Sequence, residues 1–166
     1  MTRGGVDKNP NITSLVIPED KVAEFTAQAH YTKNWVNSQK RTDPNAGYDA
    51  LSLRRYLDGT RDLGLEFCEQ PVARGGEAAF SDLDAATRAR LAADESVHDL
   101  ADAGRLLAEP RPYGIFNLKL MKCGGLGEAL RMIAVARAHG LQVMLGCMIE
   151  SSIAITAAAH LSPLVD

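Results

Sequence analysis

The sequence predicts an α/β fold in which a parallel sheet is built from βαβ units. Short apolar segments alternate with helical segments from about residue 47 onwards, and the apolar segments are nearly continuous, as in strands that are covered on both faces. Polar residues also recur at the ends of these segments at an almost constant step. The helical connections between parallel strands are right-handed, so the fold is either a barrel or an open sheet.

The first helix and strand occupy residues 47–71. In GYDALSLRRYLDGTRDLG, Leu53, Tyr56 and Leu57 share one helical face, and Gly64 suits a left-handed C-terminal cap. The segment LEFCEQP follows as a short apolar strand. Pro71 ends it, since proline lacks the amide hydrogen that a sheet needs.

The later segments repeat this order. SDLDAATRARLA predicts a helix with Ser81 or Asp82 as N-cap, and HDLADAGRLLAE predicts another helix. IFNLKLM and QVMLGCMI predict strands on either side of the helix GEALRMIAVARAHG, which ends at Gly140. SSIAITAAAHL predicts a helix opened by serines. Before residue 47, PEDKVAEFTAQAHY predicts a helix and the rest has no clean period.

Composition limits the classes of function. The chain has 166 residues, a net charge of -3 and 46% hydrophobic content, which suits one globular domain with a sizeable core. Three cysteines without CxxC spacing support neither a disulfide framework nor a zinc site. Without a long apolar run, a secretory signal or a basic, aromatic-rich stretch, we expect a cytoplasmic protein that binds small molecules, not membranes or nucleic acids.

Four polar residues lie at or near the carboxyl ends of successive predicted strands: Asp43, Glu69, Asp94 and Lys119. Their steps are 26, 25 and 25 residues, one βα unit each. In parallel α/β folds these strand ends share one face, so the side chains can meet in one site. Three carboxylates without His or Cys suit Mg²⁺ or Mn²⁺ and would repel one another without a cation.

Each of these residues also has a purely structural interpretation. Asp43 could start a turn, Glu69 could end a strand, and Asp94 could cap the next helix. Lys119 is harder to explain in this way. An amine between two leucines on a buried strand needs a partner or a depressed pKa.

The segments RTDPNAGY, LGLEFCEQPV, ADESV, NLKLMKCGG and GCMIESSIAITAAAHL resemble the enolase superfamily, specifically its muconate-lactonizing subgroup and the dipeptide epimerases within it. The resemblance covers roughly residues 41–162. It implies a partial (β/α) TIM-type barrel of about five βα units without the family's capping domain. Residues 1–40 would form an irregular or helical N-terminal segment, and residues 41–166 the partial barrel domain.

The resemblance also implies roles for individual residues. Asp43, Glu69 and Asp94 would bind Mg²⁺, with Mn²⁺ as the alternative. Lys119 would be the acid/base that removes the α-proton of a dipeptide or N-acyl amino acid. We expect burial and the nearby cation to depress its pKa. The residues expected to shape the substrate pocket are Asn45, Glu95, Met148 and Glu150.

The sequence departs from the family pattern at the second base. No KxK string precedes Asp43 at the family's distance, and Lys33 is the nearest candidate for the lysine on the opposite face. Chemistry through Lys119 alone would therefore be one-sided. Two alternatives to an epimerase remain: an impaired remnant that still binds metal, and a cycloisomerase or dehydratase of the same superfamily. We also expect a homo-oligomer, because an incomplete barrel has an apolar open edge.

Overall fold

The computed structural model describes residues 41–166 of the chain. They form a five-stranded parallel sheet in the order β1-β2-β3-β4-β5. The strands are β1 (Arg41–Thr42), β2 (Phe67–Glu69), β3 (Leu91–Ala93), β4 (Ile115–Leu118) and β5 (Gln142–Leu145). The sequence prediction of an α/β fold with about five βα units is confirmed. That this sheet is part of a TIM-type barrel stays a prediction.

Helices connect these strands along the chain. They are α1 (Ala50–Gly59), α2 (Ala85–Arg88), α3 (Leu100–Leu106), α4 (Leu120–Cys123), α5 (Leu126–Ala138) and α6 (Ser152–Ala159). Shorter 3-10 turns lie at Arg61–Leu63, Glu77–Phe80 and Ser162–Leu164. Strand order therefore follows chain order, with each strand hydrogen-bonded to the next.

Local sequence explains where α1 begins and ends. The Asp49 carboxylate accepts the backbone N–H of Ser52, and the Ser52 hydroxyl accepts the N–H of Asp49, which makes a reciprocal capping box. Leu53 and Tyr56 are fully buried, as predicted. Gly64 adopts the predicted left-handed conformation with φ of 64°, but it ends the 3-10 turn after α1 and not the helix itself.

Two predicted boundaries were wrong. The N-cap of α2 is Asp84, not Ser81 or Asp82, because residues Glu77–Phe80 form a separate 3-10 turn and the chain becomes helical only after it. The predicted strand QVMLGCMI stops at Leu145. A last backbone bond runs from Gly146 N–H to the carbonyl of Leu118, where β4 also ends.

Hydrophobic side chains cover both faces of the sheet. The main cluster packs strand residues such as Phe116 and Val143 against helix residues such as Tyr56 and Met132. A second, smaller cluster lies on the opposite face and consists of Phe67, Ala92 and Ile115 with partly buried Met144 beside them. That opposite face leads to the candidate site.

Three predictions about the N-terminal part concern residues outside the described range. These are the division into residues 1–40 and 41–166, the helix in PEDKVAEFTAQAHY, and the assignment of Lys33. All three stay predictions. Within residues 41–166, every helix is too short or too polar to span a lipid bilayer.

Candidate active site at the carboxyl ends of the strands

The structure places the four predicted residues at one edge of the sheet. Asp43 directly follows β1, Glu69 is the last residue of β2, Asp94 directly follows β3, and Lys119 directly follows β4. Since these strands are neighbours and parallel, their carboxyl ends lie side by side. The predicted strand IFNLKLM included Lys119. The structure shows instead that Lys119 is the N-cap residue of α4.

Asp94 is held between two lysines. The Lys119 Nζ donates to Oδ2 of Asp94, and the Lys122 Nζ donates to Oδ1. Lys122 also donates to the backbone carbonyl of Asp94 at 2.6 Å and to that of Asn117 at 3.3 Å. All three charged side chains are largely buried, with 5% exposure for Asp94, 14% for Lys119 and 12% for Lys122. The pairs are therefore poorly screened by solvent.

These contacts shift the pKa values of Asp94 and Lys119. Burial alone would raise the pKa of Asp94, but hydrogen bonds from Lys119 and Lys122 and the charges of both lysines lower it. Burial alone would lower the pKa of Lys119, but Asp94, Glu69 and Glu95 together raise it. In the arrangement that the structure shows, the surrounding carboxylates outweigh burial. The depressed pKa expected for Lys119 beside a bound cation stays a prediction.

Glu69 is buried and hydrogen-bonded to a residue that sequence reasoning did not select. Its Oε1 accepts a hydrogen bond from Nδ2 of Asn117 at 2.5 Å. Burial, with smaller contributions from the charges of Asp43 and Asp94, raises the pKa of Glu69 to about 7. Asn117 could have been found from its spacing, since residues two apart in a strand point to the same face and Lys119 is two residues further on.

Asp43 is partly buried and lies in the loop after β1. Its Oδ1 accepts the backbone N–H of Asn45 at 2.9 Å. Burial raises the pKa of Asp43, and the charges of Glu95 and Asp94 raise it further. The carboxylates at this edge therefore oppose each other's ionisation, which is the situation that a divalent cation relieves.

The donor set fits Mg²⁺ by its chemistry, because it offers several carboxylate oxygens and no His or Cys. These candidate ligands are not gathered around one position in the structure. Among residues 41–166, no three His, Cys, Asp or Glu side chains come close enough together to hold a metal ion. The Asp94 oxygens instead contact Lys119 and Lys122, so metal binding requires these contacts to be exchanged.

An open cavity of about 610 Å³ adjoins the site. Its polar lining includes Asp43, Glu69, Asn117 and Lys119, and its apolar lining comes from β2, β5 and α6. This volume is in the range of small-molecule sites. Asp94 is outside the lining and reaches the cavity only through Lys119.

The four residues expected to shape the substrate pocket are also outside the lining of this cavity. Asn45 is exposed in the loop after β1. Glu95 adjoins Asp94, and its buried Oε2 has no hydrogen-bond partner among residues 41–166. Met148 and Glu150 follow β5, and the Met148 N–H donates to Oε1 of Glu150 at 2.9 Å. The structure brings Glu95 close enough to shift the pKa of Lys119.

Gly146 packs directly against two side chains of the site. A Cβ at this position would lie 2.5 Å from Oδ1 of Asn117 and 2.9 Å from Cε of Lys119, closer than real Cβ atoms approach. A larger residue here would therefore have to displace the ends of these side chains. No local signal in the sequence distinguished this glycine from the others.

The fold and this arrangement define the class of protein. The chain belongs to the enolase C-terminal domain-like family, whose model matches residues 17–166. Within that family it is similar to dipeptide epimerases. It is 48% identical over 120 residues to the L-Lys-D/L-Arg epimerase of Methylococcus capsulatus, covering 72% of this chain and 34% of that protein. It is 40% identical over 126 residues to the hydrophobic dipeptide epimerase of Roseobacter litoralis, covering 76% and 36%.

Comparison with a solved structure also shows similarity to a dipeptide epimerase. The dipeptide epimerase from Methylococcus capsulatus complexed with Mg and the dipeptide L-Arg-D-Lys superimposes with a TM-score of 0.82 and 39% sequence identity. The match covers 92% of this chain and 43% of that one. The chain thus spans about a third of the length of the curated relatives it matches.

Proposed function

We propose that the chain carries part of the active site of a Mg²⁺-dependent epimerase or racemase acting on dipeptides or N-acyl amino acids. The observation that carries the proposal is the placement of Lys119. Its ammonium group lies beside Asp94, in the lining of an open cavity that Glu69 and Asp43 also line. An amine among carboxylates at the ends of parallel strands suits proton transfer next to a bound anion.

In this proposal Asp43, Glu69 and Asp94 hold Mg²⁺, with Mn²⁺ as the alternative. When bound, the metal supplies positive charge to the carboxylate oxygens of the substrate. Lys119 removes and returns the α-proton through its Nζ. Because Asp94 raises the pKa of Lys119, another partner for the Asp94 carboxylate would favour the neutral amine that acts as a base.

The remaining roles follow the family resemblance. Asn45, Glu95, Met148 and Glu150 would shape the pocket beside the reacting carbon. Lys33 would act on the opposite face. The names of the relatives suggest a panel of substrates that contains cationic, acidic and hydrophobic dipeptides.

The test is Mg²⁺-dependent exchange of the α-hydrogen in D₂O, followed by proton NMR over that panel. We expect exchange with at least one dipeptide and none with Lys119→Ala. Full exchange in Lys119→Ala would assign the proton transfer to another residue. Absence of exchange with every dipeptide, together with retained Mg²⁺ binding, would favour the impaired remnant. Exchange without inversion would indicate one working base.

A further inference from the structure

Gln70 immediately follows Glu69, and its conformation is unusual. It is completely buried, with 0% exposure, and its φ of 34° lies in the left-handed region that residues with a Cβ rarely adopt. Such a conformation persists only where the surrounding contacts over-determine it, and residues of this kind cluster at functional sites. The contacts of Gln70 indicate what it does.

The side chain of Gln70 holds the loop that begins at Asp94. Its Oε1 accepts the backbone N–H of Asp94 at 2.9 Å and that of Ser96 at 3.0 Å. Its Nε2 donates to the carbonyl of Val72 at 2.7 Å and to the Ser96 hydroxyl at 2.9 Å. Both acceptor sites and both donors of the amide are used. One side chain therefore holds the backbone amides of both Asp94 and Ser96.

The backbone of Gln70 holds the loop after β1, which lies on the other side of β2 from β3. Its carbonyl accepts the N–H of Ala46 at 2.7 Å, in the loop that begins at Asp43. Its own N–H donates to the carbonyl of Ala92 at 2.8 Å. One residue next to Glu69 thus joins the segments that carry Asp43 and Asp94.

We propose that Gln70 is the positioning residue of this site. It holds the loops after β1 and β3 in register with Glu69, and so determines where the Asp94 carboxylate meets Lys119. Its importance for catalysis rests on the proposed function. The hydrogen bonds through which it acts are independent of that function.

A neighbouring hydroxyl offers a matched control. The OH of Tyr113 lies 3.4 Å from Nε2 of Gln70 and 3.3 Å from the hydroxyl of Ser96, so it belongs to the same buried network. Among the hydrogen bonds of the described residues, none joins this OH to Asp94. Tyr113→Phe therefore perturbs the network without removing the support of Asp94.

The experiment compares Gln70→Leu, Gln70→Glu and Tyr113→Phe in the full chain. With the best dipeptide of the panel, we expect Gln70→Leu to lower kcat for α-hydrogen exchange on the order of 10²-fold with KM little changed, because misplacing a positioned group by about 1 Å has that effect. The backbone amides of Asp94 and Ser96 should exchange with solvent faster in this variant. Gln70→Glu keeps the acceptor oxygen and should restore the protection of both amides and part of kcat.

Two outcomes would overturn the positioning role. One is an equal loss of kcat in Tyr113→Phe, and the other is unchanged protection of the Asp94 amide in Gln70→Leu. If the wild-type chain exchanges no substrate hydrogen, the proposed function fails by itself. The positioning role is then decided by the Asp94 amide, and a Gln70→Leu variant that keeps the protection of this amide refutes it.

Discussion

The Nδ2 of Asn117 donates a hydrogen bond of 2.5 Å to Oε1 of Glu69, across the strand β3 that lies between them in the sheet. This bond orients a buried carboxylate whose pKa is raised to about 7 by its burial and by neighbouring charges. A carboxylate in that environment needs a fixed donor to remain available as a metal ligand. The relationship leads to the first prediction.

Asn117→Ala should weaken Mg²⁺ binding by about 10- to 100-fold, the usual effect of losing a residue that orients a ligand. Isothermal titration with Mg²⁺ measures it. Gln142→Ala is the control. Gln142 is exposed and is the first residue of β5, at the end of the strand away from the site. Equal Mg²⁺ affinity in the wild type and Asn117→Ala would show that this bond does not support a metal ligand.

The two lysines on Asp94 should differ in their effects on α-hydrogen exchange. Lys119→Met should abolish it, because the proposed base is lost. Lys122→Met should reduce it by about tenfold, since Lys122 only orients Asp94 through its carboxylate and its backbone carbonyl. Exchange rates in D₂O measured by NMR distinguish the two. Loss of the same size in both variants would contradict separate roles.

Gly146→Ala should lower the free energy of unfolding by about 1–3 kcal/mol, because the new methyl group overlaps Asn117 and Lys119. Exchange activity should fall as well. Gly127→Ala is the matched control. A Cβ there meets nothing within 4 Å, and in the first turn of α5 alanine should be neutral or should stabilise by about 0.5–1 kcal/mol. Urea denaturation checks both, and equal stability of the two variants would refute the predicted overlap.

Asp102 should make folding stability depend on acid pH. Burial alone would raise its pKa, but the backbone N–H of His98 and the guanidinium of Arg74 lower it. The folded pKa is below the unfolded one, so the stabilisation is complete above the unfolded pKa of about 4 and is lost as the pH falls through the folded pKa. The difference in free energy of unfolding between the wild type and Asp102→Asn should shrink accordingly between pH 6 and acid pH. A difference that does not change over this range would contradict the prediction.

We also predict that the chain self-associates through α6 and the segment before it. Ile149 and Ile153 are 104% and 81% exposed, and no residue of α6 is fully buried. Apolar surface of this kind favours association. Sedimentation velocity should show a dimer that Ile153→Glu converts to monomer. Leu51→Glu, at a 58% exposed position on α1, is the control and should not change the association. A monomeric wild type would refute self-association.

The sequence by itself determined the order of strands and helices and the position of Asp43, Glu69, Asp94 and Lys119 at the strand ends. Both follow from local pattern, since apolar runs and helical periods fix the elements, and parallel pairing brings equivalent ends to one edge. The exact limits of β5 and the N-cap of α2 were missed, because 3-10 turns and single glycines end elements without a periodic signal.

Only the tertiary structure decided which side chains meet. Lys122 reaches Asp94 from 28 residues away, and Asn117 reaches Glu69 from 48 residues away. The Gln70 amide contacts the Asp94 backbone 24 residues further along the chain. These contacts depend on the register between neighbouring strands and on the direction of each side chain after its strand ends. Spacing along one strand indicates which side chains share a face, but not which side chain of another strand each one meets. Packing between the strands therefore selected these partners.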